Sequence, residues 1–113
     1  VQPLPIYRTK QDKFVENKEN HKVSWPNFEI EILEKREEFS FCKVIHTNQM
    51  LWIKNEFIYL KNKHFYCLDD YIDHFITVHE NEDVKVIGLY GKFAYIIKNK
   101  EIGWIESGYL EKI

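Results

Sequence analysis

An all-β fold, built as two small barrels in tandem and packed together, is what the sequence predicts, on three observations. Short alternating, β-branched or aromatic runs dominate the chain, among them Phe28-Glu29-Ile30-Glu31-Ile32, Phe39-Ser40-Phe41-Cys42-Lys43-Val44-Ile45 and Met50-Leu51-Trp52-Ile53. Runs of this length, closely spaced and bounded by turn residues, read as strands of a barrel or sandwich. The same pattern then recurs: Trp52 and Trp104 stand 52 residues apart with matching neighbours. Finally, no segment carries an apolar stripe at helical spacing. The charged stretch from Ile32 to Glu38 reads as a strand end plus loop.

Taken in order, the repeat places Phe41-Cys42-Lys43-Val44-Ile45 over Phe93-Ala94-Tyr95-Ile96-Ile97 and Leu51-Trp52-Ile53 over Gly103-Trp104-Ile105. Phe57-Ile58 falls over Tyr109-Leu110. Upstream, Ile30-Glu31-Ile32-Leu33 matches Val84-Lys85-Val86-Ile87 when the first copy carries two extra loop residues. Self-similarity at this period marks duplicated units. Period-2 alternation turns Val84, Val86, Ala94 and Ile96 inward. Gly88 and Gly91 suit the sharp connection after the Val84 strand, and Asn99-Lys100 suits the next hairpin tip. Cys42, over Ala94, becomes a core position. The predicted units are 1–61 and 62–113, joined by the short polar link Lys61-Asn62-Lys63, too short to let them move freely. Trp25 precedes Pro26 and is expected to be extended.

The composition bounds the function. The 113 residues are 44% hydrophobic and 16% aromatic, ample for a packed core. Sixteen basic against eighteen acidic residues give a net charge of −2, no electrostatic basis for binding nucleic acid. No stretch approaches the roughly 18 apolar residues of a membrane span. Two cysteines are too few for a disulfide-stapled miniprotein, so Cys42 and Cys67 read as reduced thiols, with a single bridge as the alternative. The chain begins Val1-Gln2-Pro3 without methionine, as an exported or trimmed protein would, and a periplasmic or envelope-anchored location is favoured over a cytoplasmic one.

In the second copy, Cys67-Leu68-Asp69-Asp70-Tyr71 resembles the Ala-Leu-Tyr-Asp-Tyr opening of SH3 domains, and Gly103-Trp104-Ile105-Glu106-Ser107-Gly108-Tyr109-Leu110 resembles their closing segment. Bacterial SH3-type (SH3b) domains, with Gly-Trp-Val there, are closer still. The resemblance covers the last fifty or so residues and reaches the first half through the internal repeat. It implies two SH3-like barrels and a groove of aromatic side chains. Carried over position by position, Tyr71 and Tyr109 are groove tyrosines, and Asp69, Asp70 and Asp73 belong to the acidic loop. Phe93 lies where the groove tryptophan strand begins, and Glu106 replaces the groove proline. The last two departures argue against proline-rich ligands and for a rearranged groove.

Other chemistry is less well supplied. His64, Cys67, His74 and His79 are sequence neighbours, but His74-x4-His79 is a poor zinc spacing, so surface histidines are expected and no metal or cofactor. Cys67 with a histidine would need a rigid element, an orienting base and an oxyanion hole to act as a nucleophile. In bacterial peptidases that SH3-type modules accompany, the catalytic domain is a separate one, and 113 residues leave no room for it, so no enzymatic activity is expected. Three readings follow: a non-enzymatic binding module for a peptide, peptidoglycan fragment or partner protein; an immunity or inhibitor protein that blocks a toxin; and the targeting fragment of a cell-wall hydrolase.

Overall fold

The computed structural model describes residues 3–16 and 21–113. It is all-β, with two single 3-10 turns and, among the described residues, no α-helix. The strands are β1 (Ile6–Thr9), β2 (His21–Val23), β3 (Phe28–Lys35), β4 (Phe39–Val44), β5 (Met50–Lys54), β6 (Ile58–Lys61), β7 (His64–Cys67), β8 (Tyr71–Asp73), β9 (Asp83–Tyr90), β10 (Phe93–Lys98), β11 (Glu101–Glu106) and β12 (Leu110–Lys112). The stretch from Ile32 to Glu38 continues β3 as far as Lys35 and then bends.

Two compact units emerge, with boundaries that differ from 61/62. One is continuous, Glu19–Asp73, and the other joins Val1–Lys18 to His74–Ile113. We call them the inserted and the outer unit. The reason is strand pairing. β7 pairs with β3 and β6, so residues 64–67 belong with the first half of the chain. β1 pairs with β9 and β12, so the N-terminal strand belongs with the last part. The expected linker Lys61-Asn62-Lys63 is instead the tip of the β6–β7 hairpin, with Asn62 and Lys63 at φ 51° and 68°. Two successive left-handed residues make the type I′ turn that matches strand twist.

The inserted unit carries a five-stranded sheet ordered β5-β4-β3-β7-β6, with β2 and β8 as a separate pair. The outer unit carries a five-stranded sheet ordered β11-β10-β9-β1-β12. Each contains a three-strand meander, a 3-10 turn (Asn55–Phe57 or Ser107–Tyr109) and a last strand. That last strand pairs with a fifth strand, which returns to the first strand of the meander. The fifth strand follows the last strand in the inserted unit and precedes the meander in the outer unit. In both first hairpins the register slips at one place, which skips Leu33 in one unit and Ile87 in the other.

Register also relocates the two extra residues of the first copy. Phe39 faces Lys54 and Phe41 faces Trp52, whereas Phe93 faces Glu106 and Tyr95 faces Trp104. The extra residues therefore lie in the β4–β5 loop, and Cys42 corresponds to Ile96 rather than to Ala94. Gly88 lies within β9, not at the turn. The Tyr90 ring covers it, and a methyl there would stand 2.7 Å from that ring. Gly91, at φ 61°, makes the turn.

Each core follows from alternation. Val84, Val86, Ala94 and Ile96 all point inward as expected, joined by Ile76, Val78, Ile105 and Leu110. In the inserted unit Val23, Phe28, Ile30, Cys42, Val44, Leu51, Ile53, Phe57, Cys67 and Tyr71 are buried. The expected closed barrels are not formed: both five-stranded sheets stay open. Their β5 and β11 edges are capped by other groups. The Trp52 amide donates to the Asp73 carboxylate at 2.7 Å, and the Lys54 amide to the Tyr71 hydroxyl at 2.9 Å. On β11 the Trp104 amide donates to the His74 carbonyl at 2.7 Å, and the Ile76 amide to the Trp104 carbonyl at 3.0 Å. Edges satisfied in this way do not offer their backbone to another strand.

Candidate functional site

The site begins with the β10–β11 hairpin of the outer unit. Phe93 opens β10 directly opposite Glu106, which ends β11. Directly opposed residues share a face, so ring and carboxylate lie side by side. The chain then enters the 3-10 turn, which is pinned by the Ser107 amide donating to the Lys92 carbonyl at 2.9 Å. That turn brings Tyr109 round, half-buried against the core. Lys13 arrives from the segment after β1, fixed by a two-way backbone bridge to Val78 at 2.9 Å. Its ammonium lies 3.7 Å from the Glu106 carboxylate and 5.4 Å from the centre of the Tyr109 ring. Phe75 meets Phe93 edge-on with centroids 5.9 Å apart. Two phenylalanines, a tyrosine and one exposed ion pair therefore converge on one face.

Three of the seven sequence-nominated residues, Phe93, Glu106 and Tyr109, meet here. The other four, Asp69, Asp70, Tyr71 and Asp73, belong to the inserted unit. Tyr71 is not a groove residue: it is 1% exposed, with its ring edge-on to Phe57 at 5.3 Å and its hydroxyl on the Lys54 amide. Asp73 caps the Trp52 amide and lies 3.8 Å from His21. Asp69 and Asp70 are exposed on the turn after β7, where the Asp69 carbonyl accepts the Cys67 thiol. Sequence reasoning missed Lys13 and Phe75. Nothing local marks them, because both reach the face through long-range bridges, Lys13 with Val78 and Phe75 with Trp104.

The inserted unit fills the corresponding position with its own side chains. Phe39 and Lys54 stand where the other hairpin has Phe93 and Glu106. Lys54 is 1% exposed, with its ammonium 5.5 Å from the Phe39 ring centre and 2.8 Å from both Glu38 and Glu56. Phe57, the counterpart of Tyr109, is buried. The outer unit's version is the open one.

The histidines and Cys67 do not gather. His64 and Cys67 fall in one unit and His74 and His79 in the other, and among the described residues no three His, Cys, Asp or Glu side chains form a metal-binding group. Both cysteines are free and buried, and burial pushes each thiol up to about 12. Among the described residues no helix is long and apolar enough to cross a membrane. No protein-family model, no curated protein and no solved structure matches this chain.

Proposed function

We propose that the chain is a non-enzymatic binding module of the bacterial envelope. It comprises two SH3-type units, and it takes a peptide, a cell-wall fragment or a partner protein on the face formed by Phe93, Glu106 and Tyr109. The observation that carries this reading is the convergence of those three residues with Lys13 and Phe75. The arrangement of both units supports it: a meander, a 3-10 turn and a closing strand recur in each. Rings of this kind supply large rigid contact area, and an exposed ion pair at their edge supplies orientation. The Lys13–Glu106 pair is worth little to folding at its exposure, about 0.5 kcal/mol, which leaves both charges available to a ligand.

Titration of the isotopically labelled protein with peptidoglycan fragments, stem peptides and extended peptides tests the reading. Saturable shifts at Phe93, Phe75 and Tyr109, lost in Phe93→Ala and altered in Glu106→Gln, are the expected result. A spectrum that stays silent at these residues with every ligand would sink it.

A further inference from the structure

In the inserted unit, one face of the β6–β7 hairpin holds an open cavity. Tyr59 and Tyr66 face each other across the two strands, their rings 24° from parallel with centroids 5.5 Å apart. The Tyr59 hydroxyl donates to Asn27 Oδ1 at 2.8 Å, which fixes that ring. Asn27 and Asn62 both adopt left-handed backbone, φ 56° and 51°. With Lys61 these residues line a cavity of about 470 Å³, room for one or two sugar rings.

We infer that this cavity is a carbohydrate site, and that it takes a sugar bearing a carboxylate. An aromatic face matches the C–H face of a pyranose in shape and in charge, because the ring presents a negative surface to weakly positive hydrogens. The Asn62 amide offers paired donors and an acceptor, and Asn27, whose Oδ1 accepts from Tyr59, adds its paired donors, the complement of vicinal hydroxyls. The charge preference comes from Lys61. Across the hairpin His64 is its opposite residue, and that imidazole pairs with Glu29 at 2.9 Å, so the cation that faces the cavity is Lys61. A guanidinium fork, the bidentate partner of phosphate, is absent from the lining, which supplies one ammonium, two amides and two rings, a set that suits a single carboxylate on a sugar. The anchored Tyr59 and the turn-held Asn62 reduce the ordering that binding requires. This inference concerns the inserted unit alone and stands whether or not the Phe93 face binds a ligand.

The test uses the whole labelled chain and two matched probes, methyl β-D-glucuronide and methyl β-D-glucoside, which differ only in carboxylate against hydroxymethyl. The expected result is saturable shifts of the Tyr59 and Tyr66 ring signals and the Asn27 and Asn62 side-chain amides, with a dissociation constant of about 1 mM for the glucuronide, and roughly fivefold weaker binding of the glucoside, as one partly exposed charge contact allows. Lys61→Met should remove that preference and leave glucoside binding unchanged. Tyr66→Ala should weaken both probes at least about fivefold, the share of one stacked ring. Asn62→Asp, which keeps the left-handed turn, should weaken the glucuronide more than the glucoside, and so tests the site even if Tyr66→Ala fails to fold. Absence of saturable shifts at these residues, equal affinity for both probes, or indifference to Lys61→Met and Asn62→Asp would overturn the assignment. Shifts confined to Phe93 and Tyr109 would overturn it too, without touching the other reading.

Discussion

Lys54 shows how a single side chain can close a site. Desolvation pulls the pKa of its buried ammonium down, but the hydrogen bonds and charges of Glu38 and Glu56 outweigh this and hold it above its ordinary value. Because the folded value exceeds the unfolded one, the contribution is complete at neutral pH and is lost as pH rises above about 10. Stability in urea should therefore fall on the alkaline side for the native chain and fall less for Lys54→Met. The double change Glu38→Gln with Glu56→Gln takes these two counter-charges from the buried ammonium and should cost about 3 kcal/mol. Lys54→Met, which restores an apolar interior, should stay within about 1 kcal/mol of the native chain. Cys42 and Cys67, pushed up to about 12 by burial, should resist a thiol reagent at pH 8 until denaturant is added, then react in full. Gly103 has no room for a side chain: a methyl would stand 2.5 Å from the His74 carbonyl oxygen and 2.8 Å from Ile76. Gly103→Ala should cost about 2 kcal/mol or more by forcing the 74–76 backbone off β11, read as a lowered denaturation midpoint.

At the scale of elements, the two Asn-Lys turns are the same device. Asn99 and Lys100, at φ 49° and 70°, join β10 to β11 as Asn62 and Lys63 join β6 to β7. Asparagine tolerates that backbone, but lysine is strained there by about 1–2 kcal/mol. Lys63→Gly and Lys100→Gly should each stabilise the protein by about 0.5–1 kcal/mol once glycine's extra unfolded-state freedom is subtracted, measured by equilibrium unfolding. Local pattern revealed strands, the inward valines and the Asn99 turn, because alternation and turn chemistry are carried by neighbouring residues. It misread the same dipeptide at Asn62 as a link between units, because the repeat period suggested a boundary there and nothing nearby said which strands pair. The placement of β1 beside β9 and β12, and of β7 beside β3, depends on partners far along the chain, and no short-range signal encodes it. The site divides in the same way. Phe93, Glu106 and Tyr109 lie within one hairpin and its turn and were legible together. Tyr71 stands in the motif that suggested a groove but turns inward, because the Lys54 amide and the Phe57 ring claim it.

For the molecule as a whole, the interleaved connectivity makes the two units unequal. The inserted unit is one continuous segment and the outer unit is two. Residues 19–73 made alone should fold, giving a dispersed NMR spectrum and a cooperative melt. Residues 74–113 made alone should not, since β9 and β12 lack β1 between them. A peptide of residues 1–18 added in trans should restore the order. The pairing of β2 with β8 sets His21 opposite Asp73, so the inserted unit's two ends leave it side by side. While it is folded, the tether between β1 and β9 is effectively short. When it melts, that tether becomes about fourfold longer, and the closure entropy costs the outer unit about 1 kcal/mol. The coupling is reciprocal, as a clasp and its bracelet hold each other, so a ligand that steadies the inserted segment should also raise the melting temperature of the strands on either side of it in the chain.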